Sequence, residues 1–376
     1  MANKNLSQAR RSKNDEFYTQ FHDIEKEMNA YIDFNPDVFK NKTVFLPCDD
    51  PEWSNFTKYF AQNFEKLKLR KLISTSFAPN SKPQSISFQP TLFEIESPNF
   101  DSSKSSANGK IFELSRDKNR DNQINVDDLE WAYLVGDGDF RSDEVKKIRD
   151  EADIIITNPP FSLFREFLIW IVEADKKFAL ISNMNSITYR EVFPLIMENK
   201  MWLGATGNGN DMVFRVPPGA TVANSDREKA ARLGYVGDFT RLGNSCWFGN
   251  IDHGRRHQPL PLMSKQDNLK FSKHKEIKSV GFKTYDNFNA IEIPYTDAIP
   301  SNHKGLMGVP ISFLTKYNPN QFEIIGSFNA GQHGDEIGAK KVEIEVNGKK
   351  VQWNGPVIEG KPLYKRIIIK HKGVSE

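Results

Sequence analysis

Short runs of β-branched and aliphatic residues recur through the first half of the chain. "KTVFLPC" (42–48), "KLIST" (71–75), "WAYLVG" (131–136), "DIIIT" (153–157) and "KFALIS" (177–182) are bounded by polar or turn-forming residues and predict buried strands. Between them the apolar period changes to that of a helix. "SNFTKYFAQNFEKL" sets Phe56, Tyr59, Phe60 and Phe64 on one stripe with Ser54 as N-cap, and "SLFREFLIWIVEAD" sets Leu163, Phe167 and Ile171 on another with Ser162 as cap. Strands alternating with helices predict an α/β fold in which a mostly parallel sheet is covered on both faces. "MWLGAT" (201–206) and "SCWFGN" (245–250) supply closing strands.

Two stretches break the rhythm. Residues 77–130 are rich in Ser, Asn, Lys and Pro, as in "APNSKPQS" and "SPNFDSSKSSANGK", and read as an insertion, part hairpin and part loop. Residues 207–243, with "GNGN" and "VPPGAT", read as irregular. From about residue 254 the pattern becomes short strand-like pieces ("AIEIP", "KVEIEVNGKKVQW", "RIIIK"), and "NGKK" is a hairpin turn signal. The expected division is therefore a first domain over 1–253 and a smaller second one over 254–376.

Composition narrows the class. At 376 residues with 38% hydrophobic content, the chain can bury a substantial core. No stretch approaches the roughly 20 apolar residues that span a bilayer, and the N-terminus lacks the apolar centre of a signal peptide, so a cytoplasmic location is expected. The two cysteines, Cys48 and Cys246, form no metal-ligand pattern, and His253 and His257 lack a glutamate partner, so no metal is expected. The net charge of +2 does not by itself mark a nucleic-acid binder. Basic residues do gather in "KNLSQARRSK", "HGRRH" and "KPLYKRIIIKHK", which suits either a phosphate-contacting face or a solvated surface.

The most informative chemistry follows the strand "DIIIT". Ligands of an open parallel sheet bind beyond the carboxyl ends of its strands, and Asn158-Pro159-Pro160-Phe161 stands there. Two prolines stiffen the loop and leave their carbonyls outside a helical turn. The Asn158 side-chain oxygen and the Pro159 carbonyl then form neighbouring acceptors beside an aromatic wall, Phe161. Such a site suits an exocyclic amino group on a planar ring. Adenine N6 is a poor nucleophile until two acceptors draw it toward tetrahedral geometry and aim its lone pair at an electrophilic methyl group. As an ordinary strand terminator, an Asn/Asp-Pro-Pro-aromatic tetrad would arise by chance in about one chain in a hundred of this length.

A methyl donor needs a neighbouring site. The loop "FLPCDDPEWSNF" has no phosphate-cradling GxGxxG, which disfavours a dinucleotide, whereas Asp49 and Asp50 suit an ammonium or ribose hydroxyls. They read equally well as a turn before a helix. Asp137 and Asp139 in "VGDGDFRSDE" fall at the same sheet edge; the spacing is not that of an EF-hand. "DEFYTQ", with Phe17, Tyr18 and Thr19, reads as the start of a helix. Arg165, Asn183, Asn185, Tyr189 and Arg190 are further candidates for contacts to a base or phosphates.

With these motifs in order, the chain resembles the EcoRI-type adenine-specific DNA methyltransferases. The resemblance rests on "KNDEFYTQ", "CDDPEWSNFTKYF", "GDGDFRS", "DIIITNPPFSLFREF", "ITYREVFPLI", "NKMWLGA" and "GVPISFLTKYNPNQFEIIG", covering most of residues 12–326. It implies a Rossmann-like fold dependent on S-adenosylmethionine, with a C-terminal target-recognition region. Asn158, Pro159, Pro160 and Phe161 become the catalytic tetrad. Phe17, Tyr18 and Thr19, the loop Cys48, Asp49, Asp50 and Pro51, and the loop Asp137, Gly138, Asp139 and Phe140 become the cofactor-binding residues. Double-stranded DNA is the implied partner, a cognate restriction endonuclease an optional one, and a monomer the implied state.

The expected function is thus methyl transfer from S-adenosylmethionine to N6 of an adenine flipped out of a specific DNA site. Two rivals remain: a methyltransferase acting on RNA or on protein glutamine, and a non-catalytic DNA-binding protein with a methyltransferase-like core.

Overall fold

The computed structural model describes residues 17–49, 54–78, 92–95, 97–206, 212–216, 223–346 and 348–373. They form two compact units. The first comprises the described residues up to Ser186 together with Leu203–His253; the second comprises Ile187–Trp202 and the residues from Gly254 onward.

The strands up to His253 are β1 (Tyr18–Thr19), β2 (Thr43–Leu46), β3 (Lys71–Ser76), β4 (Lys110–Leu114), β5 (Glu130–Tyr133), β6 (Ile154–Thr157), β7 (Lys177–Asn183), β8 (Trp202–Leu203), β9 (Val213–Arg215), β10 (Phe239–Arg241) and β11 (Ser245–Gly249). Eight of them make one sheet in the order β5-β4-β3-β2-β6-β7-β11-β8. The pairs β3/β2, β2/β6 and β6/β7 are parallel. The pairs β3/β4, β4/β5 and β7/β11 are antiparallel. The sheet is therefore mixed, not mostly parallel: a four-strand parallel centre carries antiparallel flanks. The physical reason lies in the connections. A parallel neighbour needs a crossover long enough to return the chain to the same end of the sheet, whereas β4, the strand inside the insertion, runs back antiparallel between β3 and β5. Within the insertion the described residues hold β4 and a short helix at Leu92–Ile95.

The parallel centre explains the apolar runs. Every residue of β2 and of β6 is buried, because helices cover both faces. The helix Asn55–Gln62 opens at Ser54, whose side chain accepts from Phe56 N, and it buries Phe56, Tyr59 and Phe60. The helix Phe21–Phe34 buries Ile24, Glu27, Met28 and Tyr31, the spacing of one helical face. The helix Phe164–Val172 buries Phe164, Phe167, Leu168, Trp170 and Ile171, but Ser162 does not cap it; a 3₁₀ turn at Phe161–Leu163 precedes it.

β1, β9 and β10 form a separate antiparallel sheet with β9 in the middle. Two expectations change here. "DEFYTQ" is not the start of a helix: Tyr18–Thr19 pair as a strand and the helix begins only after Gln20. Residues 207–243 are also not irregular throughout, since β9, the helix Asn224–Arg232 and β10 lie within them.

In the second unit, β12 (Ile291–Glu292), β13 (Met307–Pro310), β14 (Phe322–Phe328) and β19 (Arg366–His371) make a sheet in the order β12-β13-β19-β14. The hairpins are β15 (Val342–Val346) with β16 (Lys349–Trp353), at the turn that "NGKK" signals, and β17 (Val357–Ile358) with β18 (Lys361–Pro362). Inside this unit the Glu292 carboxylate accepts from Arg366 Nη2 at 2.7 Å and from the Tyr285 hydroxyl. No helix among the described residues is long and apolar enough to cross a membrane.

Candidate active site

Strand order reverses between β2 and β6: from β2 the chain first adds β3 on one side, then β6 and β7 on the other. Such a switch leaves a crevice beyond the carboxyl ends of the two strands. Pro47–Asp49 follow β2 there, and Asn158 follows β6.

The loop after β2 is fixed by hydroxyls and backbone. Cys48 takes a left-handed backbone, φ 66°, which turns the chain sharply and leaves its side chain exposed. Asp49 is buried, and each of its carboxylate oxygens has a hydroxyl: Ser54 Oγ at 2.8 Å on Oδ1 and Thr157 Oγ1 at 2.7 Å on Oδ2. Its backbone is held as well. Asp49 N donates to Thr75 O at 2.8 Å, and Ser74 Oγ donates to the Asp49 carbonyl. The carboxylate thus ties together the ends of β2 and β6 and the helix cap. Asp50 and Pro51 lie outside the described residues.

At the end of β6, Asn158 is half-buried. Its Nδ2 donates to the Phe17 carbonyl at 2.7 Å. Its Oδ1 is buried and has no hydrogen-bond donor among the described residues. This assignment follows from chemistry, since the reversed amide would set two acceptors against each other. A buried orphan acceptor costs about 1–3 kcal/mol, so its retention calls for an explanation. Next in the chain, Pro159 is buried and its carbonyl accepts nothing among the described residues. The Pro160 carbonyl departs from the expectation of a free acceptor: it takes the N–H of Leu163 at 2.9 Å and closes the 3₁₀ turn.

Phe161 stands in an aromatic cluster. Its ring centroid is 5.9 Å from that of Phe17 and 6.4 Å from that of Phe214, and Phe17 and Phe214 are 6.0 Å apart. Phe214 belongs to β9, so the small sheet brings both partners to the tetrad. Thr19 is also buried, and its Oγ1 has no partner among the described residues.

The third loop, after β5, meets the end of β3. Asp137 O accepts from Ala78 N at 2.8 Å, and Asp137 Oδ1 from Asp139 N at 3.1 Å. Gly138 has φ +84°, and a Cβ there would strike the Ser76 carbonyl, so only glycine passes. Asp139 and Phe140 each have partners within the protein. Arg141 binds both oxygens of Asp139, at 2.9 and 2.6 Å, and holds its carboxyl below the ordinary value. Phe140 packs between Phe167 and Trp170, at 4.9 and 5.6 Å between centroids.

The structure therefore gathers Phe17, Thr19, Cys48, Asp49, Asn158, Pro159 and Phe161, together with the backbone of Asp137 and Gly138, along the carboxyl ends of β2, β3 and β6. Arg165 is exposed on the following helix, Asn183 and Asn185 stand at the end of β7, and Tyr189 and Arg190 are exposed in the second unit. Sequence reasoning missed Thr157, Phe214 and Asn55, whose Nδ2 donates to the Thr19 carbonyl at 2.7 Å. Phe214 sits in a segment dominated by glycine and proline. Asn55 and Thr157 are common helix and strand residues whose role appears only in contact.

Comparison with known proteins shows the family. Residues 5–372 match the family described as adenine-specific methyltransferase EcoRI. The chain is 38% identical over 375 residues to Type II methyltransferase M.EcoRI of Escherichia coli, covering 100% of this chain and 98% of that one. It is 29% identical over 373 residues to Type II methyltransferase M.MpnI of Mycoplasma pneumoniae, covering 98% of each. No solved structure matches significantly. The chain belongs to the EcoRI family of adenine-specific methyltransferases.

Proposed function

We propose that the protein methylates N6 of adenine within double-stranded DNA, with S-adenosylmethionine as donor and Asn158 to Phe161 holding the acceptor base. The observation that carries this reading is the Asn158 oxygen: buried, donorless, and on a side chain pinned at its other end. An amino group supplies the donor that this oxygen lacks.

The mechanism follows from what these residues can do. Asn158 Oδ1 and the Pro159 carbonyl each accept one N–H of the amine. Two acceptors on one nitrogen pull it toward tetrahedral geometry and localise the lone pair that the purine otherwise delocalises. No general base is required, because the extra proton becomes acidic once the nitrogen has been methylated. Phe161, steadied by Phe17 and Phe214, offers a wall for the purine. A base taken from a duplex must first leave the stack, at about a few kcal/mol, and stacking on Phe161 offsets part of that.

S-adenosylmethionine supplies an electrophilic methyl group on a sulfonium. The crevice suits it on three counts: no glycine-rich phosphate cradle follows β2, Thr19 carries an unpartnered buried hydroxyl, and Cys48 is exposed in the turn. Phe17 to Thr19, Cys48, Asp50, Pro51, Asp137 and Gly138 would hold it. Asp49, Asp139 and Phe140 would act by keeping those loops in shape. In this reading the first unit is a Rossmann-like catalytic core, and residues from 254 onward, with their basic tail "KPLYKRIIIKHK", read the target site.

The test is incubation with labelled S-adenosylmethionine and a random-sequence duplex library, followed by mapping of modified bases. N6-methyladenine in a fixed sequence context is expected. Asn158→Ala should lower transfer by about 10³-fold or more while S-adenosylmethionine still binds. Transfer at the wild-type rate would remove Asn158 from the reaction.

A further inference from the structure

We infer that the segment Phe17–Thr19, formed by β1 and the residue before it, is a clamp that positions the amine acceptor relative to the donor loop; the inference rests on the function proposed above. Among the described residues, β1 pairs with β9 on one edge. Its other edge would be left open, and an open edge exposes unpaired backbone groups. Here two asparagine side chains close it. Asn158 Nδ2 donates to the Phe17 carbonyl at 2.7 Å, and Asn55 Nδ2 donates to the Thr19 carbonyl, also at 2.7 Å.

Carbonyls two residues apart on a strand point the same way, so one edge serves both amides. The two asparagines come from the two halves of the site. Asn158 heads the tetrad after β6. Asn55 is the first residue of the helix that follows the donor loop, immediately after Ser54, which binds Asp49. A single short strand thus registers one loop against the other.

The clamp has a chemical consequence. With Nδ2 turned to the Phe17 carbonyl, the amide is held so that its opposite atom, the oxygen, is the one left for the substrate, and that is the atom an amine needs. An aspartate at 158 would offer an oxygen too, but ionised it has no proton for the Phe17 carbonyl and would be repelled by it. Protonated, it could donate to Phe17 and still accept from the amine. Phe17, Asn55 and Thr19 are positioning residues here, acting through Asn158.

The experiment compares wild type, Asn158→Asp and Asn158→Ala for single-turnover transfer at saturating S-adenosylmethionine and DNA, from about pH 8 to about pH 6. The same charged and ionisable groups face this edge in all three proteins: Asp49, reached through Thr157, Tyr18 on β1 itself, and Arg215 opposite it on β9. They cancel in the ratio of variant to wild type at each pH. The clamp predicts an Asn158→Asp rate about 100-fold or more below wild type at the alkaline end, with the ratio rising about tenfold or more toward the acid end. Asn158→Ala should show no such rise.

Asn158→Asp at a pH-independent ratio to wild type, whether high or low, overturns the clamp. Active Asn158→Ala instead overturns the proposed function. A second variant guards against an unfolded aspartate protein. Asn55→Leu loosens the far end of the clamp, and its rate at saturating donor should fall about tenfold, whereas a wild-type rate would also overturn the inference.

Discussion

The hydroxyl of Thr157 lies 2.7 Å from Asp49 Oδ2, joining the ends of β6 and β2 across the point where the strand order reverses. It also lies 2.6 Å from the Pro47 carbonyl, so one proton is shared between two buried acceptors. Asn158 is the next residue. Its placement therefore depends on a contact between strands more than a hundred residues apart in sequence.

Thr157→Val keeps the shape and removes the proton. Two acceptors then lose their donor in a dry site, which costs about 1–3 kcal/mol. The urea midpoint should fall by the corresponding amount with an unchanged m-value. Transfer should fall as well, because Asn158, which we propose accepts the amine, is no longer held. An unchanged midpoint would mean that Asp49 and Pro47 find other donors.

The two cysteines should differ sharply toward an alkylating reagent. Cys48 is exposed in the loop after β2, whereas Cys246 is fully buried in β11, and burial pushes its thiol up. At neutral pH iodoacetamide should label Cys48 and spare Cys246, as peptide mapping would read. Saturating S-adenosylmethionine should slow the labelling of Cys48 by about tenfold if the donor occupies this loop. Labelling at the same rate with and without donor would place the donor elsewhere.

Glu27 should make stability pH-dependent. Its carboxylate is fully buried and accepts from Ala205 N at 2.8 Å, Thr206 N at 2.7 Å and the Thr206 hydroxyl. Burial outweighs these hydrogen bonds and raises its pKa above the ordinary 4.5. The unfolded carboxyl gives up its proton first, so this group's contribution to stability is complete below about pH 4.5 and is lost as the pH rises through the folded value. Glu27→Gln does not titrate. The stability of wild type relative to Glu27→Gln, from urea melts between about pH 4 and pH 7, should therefore decline as the pH rises. A pH-independent difference would show that the carboxyl titrates alike in both states.

Much of this protein is legible in local chemistry. The apolar runs of β2, β3, β6 and β7, the Ser54 cap, the helix stripe from Phe56 to Phe60 and the turn between β15 and β16 each follow from neighbouring residues. The tetrad is legible for the same reason: prolines restrict their own backbone and that of the residue before, wherever they fall.

Other features depended on residues remote in sequence. Nothing in "DEFYTQ" predicts a strand, because the partner that makes it one is β9, about 195 residues later. Asp139 and Phe140 look like their neighbours Asp137 and Gly138 until Arg141 and the helix Phe164–Val172 take them away. The mixed sheet arose likewise, since β4, from the insertion, pairs antiparallel with both β3 and β5.

By itself the sequence determined which groups could accept an amine, because backbone restriction and side-chain chemistry are local properties. Only the tertiary structure decided which oxygen of the tetrad stands free and which is tied. A hydrogen-bond donor used by one neighbour is no longer offered to a ligand, and those neighbours are chosen by folding.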